Sequence, residues 1–256
     1  MHHTLEWLPN EGRAEQLLLL LHGFAGSGAD MAPLAQALRA AFPQAAVLAP
    51  DAPHASKPVD GDADASASAS ASASASASAA TAAASRPCQW YDVVGLTPEN
   101  WPARVQAELP ALRAWVQAQQ QRLGVEPAAT ALAGFSQGAV LALALVMQHD
   151  GIAGRVLAFG GCLTHVLEAA PRHTTLHLFH GADDEVIPVE GSRQALQALA
   201  ELQGDATLDI GEGVGHVLHP ALINRALQRL QTHIPARTWR AALGSTPGST
   251  PGSSSG

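Results

Sequence analysis

Short apolar runs and longer amphipathic stretches follow one another along most of the chain. The apolar runs at 46–49, 130–135, 156–159, 176–179 and 206–210 are typical of buried strands. Residues 4–8 and 16–21 flank a turn at 9–12 and are predicted to form a hairpin. Helices are predicted over 31–41, where Leu34 and Leu38 lie four positions apart, over the strongly apolar stretch 137–149, and over 189–202 and 220–234.

One more helix is predicted to begin after Thr97, which would cap it, with Pro98 at the first helical position. Pro110 lies within this helix and is predicted to kink it. The apolar face of the helix is formed by Trp101, Val105, Leu109, Leu112 and Val116.

Strands that alternate with helices predict an α/β fold with a mostly parallel central sheet and helices on both faces. Such sheets bind ligands beyond the carboxyl ends of their strands. The chain of 256 residues fits one large domain, which we place at 1–243. Within it, the Ala- and Ser-rich segment 61–85 is predicted to be a disordered insertion, and 244–256 a flexible tail.

Charge, cysteine content and the N-terminal residues limit which partners and which cellular location the sequence predicts. A formal net charge of −8 argues against nucleic acid, because phosphate binding needs a basic surface. Cys88 and Cys162 do not make a disulfide framework. The N-terminal residues lack signal-peptide features, and the apolar run at 17–21 is too short to span a bilayer. We therefore expect a cytoplasmic protein with no integral membrane association.

Residues 134–138, Gly-Phe-Ser-Gln-Gly, match the pattern G-x-S-x-G around Ser136. The bare pattern is weak, but a predicted strand precedes it and a predicted helix follows at once, as a nucleophile elbow requires. The turn that holds such a serine is tight, so the residues that flank it closely must lack side chains, which explains the two glycines. The helix N-terminus favours negative charge that develops nearby. Ser136 is thus the candidate nucleophile; the alternative is a glycine-rich turn capped by a serine.

A serine nucleophile needs a base, and His216 follows a glycine-rich loop after the predicted strand 206–210. His219 competes for this role, although its place before Pro220 is typical of a helix start. The two histidines lack further clustered ligands, so no metal site is predicted.

The base needs an acid, and Asp183, Asp184 and Glu185 follow the predicted strand 176–179. Spacing alone does not choose among them, and all three could be solvated loop charges. The chain order of serine, acid and histidine is the order that this type of sheet uses.

The loop 22–28 follows the first core strand and is rich in glycine. It can present the backbone N–H of Phe24 to a substrate oxygen, and Gln137 supplies a second N–H. Each such donor is worth about 3 kcal/mol in the transition state. His22 in this loop is expected to make structural hydrogen bonds rather than to act as a base.

Together these motifs resemble the carboxylesterase/phospholipase family of α/β-hydrolases, which includes acyl-protein thioesterases. The matching segments are 21–24, 89–92, 134–138, 180–188 and 215–216. The resemblance implies the α/β-hydrolase fold and selects Asp184 as the acid. It also supports His216 as the base and Phe24 and Gln137 as oxyanion donors.

The resemblance further implies cofactor-free hydrolysis of a small-molecule ester or thioester. The function predicted is that of a serine carboxylesterase acting on short to medium acyl chains. Acyl-protein thioesterase, lysophospholipase, a non-catalytic binding module and a peroxide-using relative remain alternatives. Predicted walls of the substrate pocket are Trp90, Tyr91, Leu163 and Val186. The sequence leaves the oligomeric state open, with a homodimer as one candidate.

Overall fold

The computed structural model describes residues 3–56, 87–238 and 241. Both the predicted insertion at 61–85 and the predicted tail at 244–256 lie outside these residues. Within the described ranges, the strands are β1 (Thr4–Trp7), β2 (Gln16–Leu21), β3 (Ala45–Pro50), β4 (His54–Ala55), β5 (Cys88–Gln89), β6 (Thr130–Phe135), β7 (Arg155–Phe159), β8 (Thr175–Gly181) and β9 (Ala206–Gly211). The α-helices are α1 (Ala32–Ala41), α2 (Trp101–Leu123), α3 (Gln137–Gln148), α4 (Val189–Glu201) and α5 (Pro220–Thr232).

Seven strands form one sheet in the order β1-β3-β2-β6-β7-β8-β9. All neighbouring pairs are parallel except β1 and β3, which are antiparallel. In β2, the whole run 17–21 is buried, because helices cover both faces of a central parallel strand. The predicted α/β fold with a mostly parallel sheet is confirmed.

The helices divide between the two faces of the sheet. Buried residues of α2, α3 and α4 pack in one apolar cluster, and those of α1 and α5 pack in another. Helix α3 follows β6 directly and is buried along almost its whole length. Because none of its faces meets solvent, its apolar residues do not form a single stripe.

Two local predictions are wrong. The first two strands do not form a hairpin, since β1 pairs with β3. The fully buried β2 takes parallel neighbours on both sides, and the half-buried β1 is left at the sheet edge. Helix α2 begins at Trp101, with Asn100 rather than Thr97 at the N-cap position and no capping hydrogen bond from the Asn100 side chain. The reason is local, because Thr97 and Asn100 accept hydrogen bonds from each other's backbone N–H and form a turn before the helix.

Pro110 neither ends nor interrupts α2, which continues to Leu123. The proline is exposed to solvent. No helix in the described part of the chain is long and apolar enough to cross a membrane.

Parallel strands bring their carboxyl ends to one edge of the sheet, which is where the candidate residues lie. Ser136 follows β6, the loop that begins at His22 follows β2, and the loop that contains His216 follows β9. The register pairs Leu21 with Gly134 and Gly181 with Gly211, so these strands end at nearly the same level.

Candidate active site

Ser136 sits in a strained turn between β6 and α3, with φ +54° and ψ −118°. A non-glycine residue with positive φ is uncommon and costs free energy, and such strain is typical of functional sites. A Cβ at Gly134 would lie 2.3 Å from the carbonyl carbon of Gly138, and one at Gly138 would lie 2.1 Å from the carbonyl oxygen of Leu21. The two glycines therefore let the turn close against β2, and the predicted strand–turn–helix context is confirmed.

The hydroxyl of Ser136 and the carboxylate of Asp184 meet at His216. Oγ of Ser136 lies 2.9 Å from Nε2 of His216, and Oδ2 of Asp184 lies 2.7 Å from Nδ1. In this arrangement the serine O–H donates to Nε2, and Nδ1–H donates to the carboxylate. The three residues are far apart in the sequence and come together only through the fold.

The carboxylate of Asp184 is buried and fully hydrogen-bonded. Its Oδ1 accepts from the backbone N–H groups of Val186 at 3.0 Å and Ile187 at 2.8 Å. Burial alone would raise the pKa of this carboxyl. Hydrogen bonds from His180, His216 and the backbone outweigh burial and hold the pKa below its ordinary range. Asp184 is therefore ionised and can stabilise a positive charge on His216.

The competing candidates have other places. Asp183 and Glu185 are exposed to solvent. His219 caps helix α5, where its Nδ1 accepts from the backbone N–H of Ala221 at 3.2 Å. The geometry thus separates Asp184 and His216 from neighbours of the same residue type.

Gly160, directly after β7, borders the site and has a φ of +55°. A Cβ at this position would lie 3.3 Å from the His216 ring and 3.4 Å from Oδ2 of Asp184. Any side chain here would press on the hydrogen bond between the acid and the base. Sequence reasoning missed this residue, and the only signal was a pair of glycines after a predicted strand.

His22 is completely buried and makes structural hydrogen bonds, as expected. Its Nε2 accepts from the backbone N–H of Ala52 at 2.9 Å, and its Nδ1–H donates to the carbonyl oxygen of Gly23 at 2.7 Å. Burial lowers the pKa of His22, so its ring stays neutral. A Cβ at Gly23 would lie 3.3 Å from Cβ of Ser136, so the start of this loop lies against the serine.

The side chain of Gln137 joins this region to the segment that follows β5. Its Oε1 accepts from the backbone N–H of Trp90, and its Nε2 donates to the carbonyl oxygen of Tyr91, both at 3.0 Å. The Trp90 indole N–H donates to the carbonyl oxygen of His22 at 2.8 Å. The residue after the serine is therefore tied, through Trp90, to the loop that contains Phe24. Only the backbone of Gln137 was considered in the sequence, so this role was missed.

The four side chains predicted to line the pocket lie in different environments. Trp90 and Tyr91 are buried in the apolar core, and the Tyr91 hydroxyl accepts from the indole N–H of Trp101 at 3.0 Å. Leu163 is half-buried on the loop after β7. Val186 is 67% exposed, beside Asp184. No group of three metal-ligating side chains converges in the ranges that the structure describes.

A strained serine after a parallel strand, hydrogen-bonded to a histidine that is held by a buried carboxylate, defines the class of α/β-hydrolases. The profile of the phospholipase/carboxylesterase family matches residues 70–236. Because this match spans more than half of the 256 residues, the chain belongs to the phospholipase/carboxylesterase family.

Individual relatives agree with the family. The chain is 35% identical to esterase YpfH of Escherichia coli K12 over 236 residues, which cover 92% of this chain and 90% of that protein. The crystal structure of esterase PE8 is 28% identical, has a TM-score of 0.71, and is matched over 89% of this chain and 96% of that one. Acyl-protein thioesterase 1 of Eremothecium gossypii is 29% identical over 112 residues, 41% of this chain and 48% of that protein. The protein is accordingly a hydrolase of carboxylic esters.

Proposed function

We propose that the protein is a serine carboxylesterase that cleaves small-molecule esters with short to medium acyl chains through an acyl-enzyme on Ser136. The observation that carries this proposal is the continuous chain of hydrogen bonds from Ser136 through His216 to Asp184. In this proposal His216 is the general base and acid, and Asp184 fixes its tautomer and stabilises its cation.

The reaction has two similar halves. His216 Nε2 takes the proton of Ser136 as Oγ attacks the ester carbonyl carbon, and the carbonyl oxygen becomes an oxyanion. When the tetrahedral intermediate collapses, the alkoxy oxygen leaves with the proton from His216. Water then enters, loses its proton to His216 and attacks the acyl-enzyme, and the acid is released as Ser136 recovers its proton.

The oxyanion is proposed to bind to the backbone N–H groups of Phe24 and Gln137. Gln137 is the first residue of α3, so its N–H is not used inside the helix and points out of the helix N-terminus. The contact of Gly23 with Ser136 supports the placement of Phe24 close to the same oxygen. Each donor contributes about 3 kcal/mol to transition-state stabilisation.

For the acyl group, we propose that Leu163 and Val186 contribute to the wall, with Trp90 and Tyr91 supporting the site from the core. A thioester is the second candidate substrate, because part of the chain is similar to an acyl-protein thioesterase. The proposed location is the cytoplasm, and the proposed catalytic unit is one domain within 1–243.

The test measures hydrolysis of p-nitrophenyl acetate, butyrate, octanoate and laurate beside an acyl thioester. We expect the highest kcat/KM on a short or medium ester, and a loss of at least about 1,000-fold in Ser136→Ala and His216→Gln. His219→Gln and Asp183→Asn are matched controls, and both should keep near wild-type kcat. Full activity in Ser136→Ala would refute the proposal, and a higher kcat/KM on the thioester would replace the ester with the thioester as substrate.

A further inference from the structure

A second histidine, His180, contacts the carboxylate of Asp184, and the mechanism above does not use it. His180 is the last but one residue of β8 and is completely buried. Its Nε2 lies 3.2 Å from Oδ2 of Asp184, the oxygen that also accepts from His216. The same Nε2 lies 2.7 Å from the carbonyl oxygen of Ile187. Both neighbours only accept hydrogen bonds, so Nε2 must carry the hydrogen.

The other ring nitrogen of His180 is held by Ser192 on helix α4. Nδ1 lies 2.7 Å from Oγ of Ser192, which is buried and lies 3.3 Å from the carbonyl oxygen of Gly161. In the neutral ring with Nε2–H, Nδ1 is an acceptor, and the hydroxyl of Ser192 can donate to it. Ser192 therefore favours the tautomer in which Nε2–H donates to the carbonyl oxygen of Ile187, with Oδ2 of Asp184 as a second, more distant neighbour of the same nitrogen.

These contacts extend the chain of hydrogen bonds behind the acid. We propose that His180 is a positioning residue for the hydrolytic reaction, which holds Oδ2 of Asp184 toward His216 and limits how strongly that oxygen attracts the His216 proton. The inference rests on the proposed roles of Ser136, His216 and Asp184.

The physical argument is the number of donors on one carboxylate. Oδ1 receives two backbone N–H groups, and Oδ2 receives Nδ1–H of His216 and faces Nε2–H of His180. Each donor disperses part of the negative charge, so removing one makes the carboxylate more basic. The other ionisable groups near this chain are the exposed Asp183 and Glu185 on the same loop, and Cys162 beside Gly191 at the start of α4.

Two amide substitutions separate the two ring nitrogens. In His180→Asn the short amide reaches the position of Nδ1, so it keeps the contact with Ser192 and loses the donor to Asp184. In His180→Gln the longer amide reaches the position of Nε2 and keeps that donor. The test measures kcat and KM on p-nitrophenyl butyrate from about pH 5 to pH 9, with the midpoint of the rise in kcat/KM as the main readout.

For His180→Asn we expect a fall of about tenfold in plateau kcat, KM within about twofold, and a midpoint that moves by about 0.5 pH unit. His180→Gln should restore both the rate and the midpoint. A higher midpoint means that Asp184 stays beside His216 and has become more basic with fewer donors. A lower midpoint means that Asp184 has turned away from His216. Either result supports a role of His180 through Asp184. An unchanged midpoint in His180→Asn, or failure of His180→Gln to restore it, overturns the proposal.

Ser192→Ala is the control for general damage, because it removes a buried hydrogen bond of His180 while the carbonyl oxygen of Ile187 and the carboxylate of Asp184 still keep the hydrogen on Nε2. It should keep the wild-type midpoint; a movement as large as that of His180→Asn would overturn the assignment. Failure of the proposed function is visible separately, since then Ser136→Ala would stay active.

A measurement on the unsubstituted protein does not depend on any variant folding. In protein labelled with ¹⁵N-histidine, NMR distinguishes protonated from bare ring nitrogens. The proposal requires a hydrogen on Nε2 of His180 and a signal from that hydrogen that moves in Asp184→Asn. A bare Nε2 would contradict it.

Discussion

Gln137 offers the sharpest test of how the site is held in place, because its side chain and its backbone have separate tasks. In Gln137→Met the side chain keeps its length and the backbone N–H remains. The backbone N–H of Trp90 and the carbonyl oxygen of Tyr91 lose their partners inside the protein. Leaving a buried polar group unsatisfied costs about 1 to 3 kcal/mol, so the stability loss is about 2 to 6 kcal/mol.

The effect on the reaction follows from the connection through Trp90. Without the amide of Gln137, the segment after β5 loses its hydrogen bonds to α3. It stays joined to the loop that contains Phe24 by the Trp90 indole bond to His22 and by the Cys88 N–H, which donates to the carbonyl oxygen of Gly26. A displacement of about 1 Å near the reacting atoms costs about a hundredfold in rate. We therefore expect kcat to fall by about 10- to 100-fold, with a smaller change in KM, because the donors act on the transition state.

Gln120→Met is the matched control. Gln120 is also buried, and its Nε2 donates to Oγ1 of Thr130 at 3.1 Å and to the carbonyl oxygen of Ile152 at 2.8 Å. Thr130 begins β6, whereas Ser136 follows its end, so this glutamine lies near the opposite end of the strand. Gln120→Met should lose stability in urea unfolding but keep its kcat. Equal kcat values for the two variants would refute the connection through Trp90.

Three further perturbations act on separate parts of the molecule. Burial lowers the pKa of His177 to about 3, with the neighbouring His233 as the next cause, so the folded protein does not take up the proton that the unfolded chain binds below about pH 6.5. The free energy of unfolding that depends on this neutral histidine is fully present above that pH and falls by about 2 kcal/mol at pH 5. In urea unfolding, the stability of His177→Gln should therefore depend less on pH than that of the wild type or of His165→Gln, the control at an exposed site. The same pH dependence in all three proteins would contradict this. Gly160→Ala should lower kcat by about tenfold or more. The control is Gly12→Ala, which also has a positive φ but no atom within 4 Å of the added Cβ, so it should lower only stability. Matching kcat values for the two variants would show that Gly160 does not protect the site. Tyr91→Phe should cost about 1 kcal/mol in thermal unfolding through its bond to Trp101 and leave the acyl-chain preference unchanged; a changed preference would place Tyr91 on the pocket wall.

The sequence predicted the sheet, and it selected three residues that the structure brings together, for a physical reason. Ser136, Asp184 and His216 each lie just after an apolar strand, and parallel strands place such positions at one edge. The choice of Asp184 over Asp183 and Glu185 did not follow from spacing, because it depends on which side chain is buried and turned toward His216. The family resemblance selected it, and the structure shows the contact.

The features that the sequence missed depend on contacts between distant parts of the chain. β1 pairs with β3 rather than β2 because the strands compete for neighbours in the sheet, and the local sequence pattern does not predict the result of that competition. The side-chain bonds of Gln137 reach a segment more than forty residues away. The 3.2 Å contact between His180 and Asp184 is local, but its electrostatic strength depends on the burial of both groups, which the sequence does not express.

Labelling with a fluorophosphonate tests the central claim most directly, because the reagent phosphonylates a serine only where a base activates it and donors bind the oxygen. Intact mass and peptide mapping should show one adduct per chain on Ser136 in the wild type, no adduct in Ser136→Ala, and very slow labelling in His216→Gln. Equal labelling of Ser136→Ala and wild type, or an adduct on another residue, would contradict the assignment of Ser136 as the nucleophile.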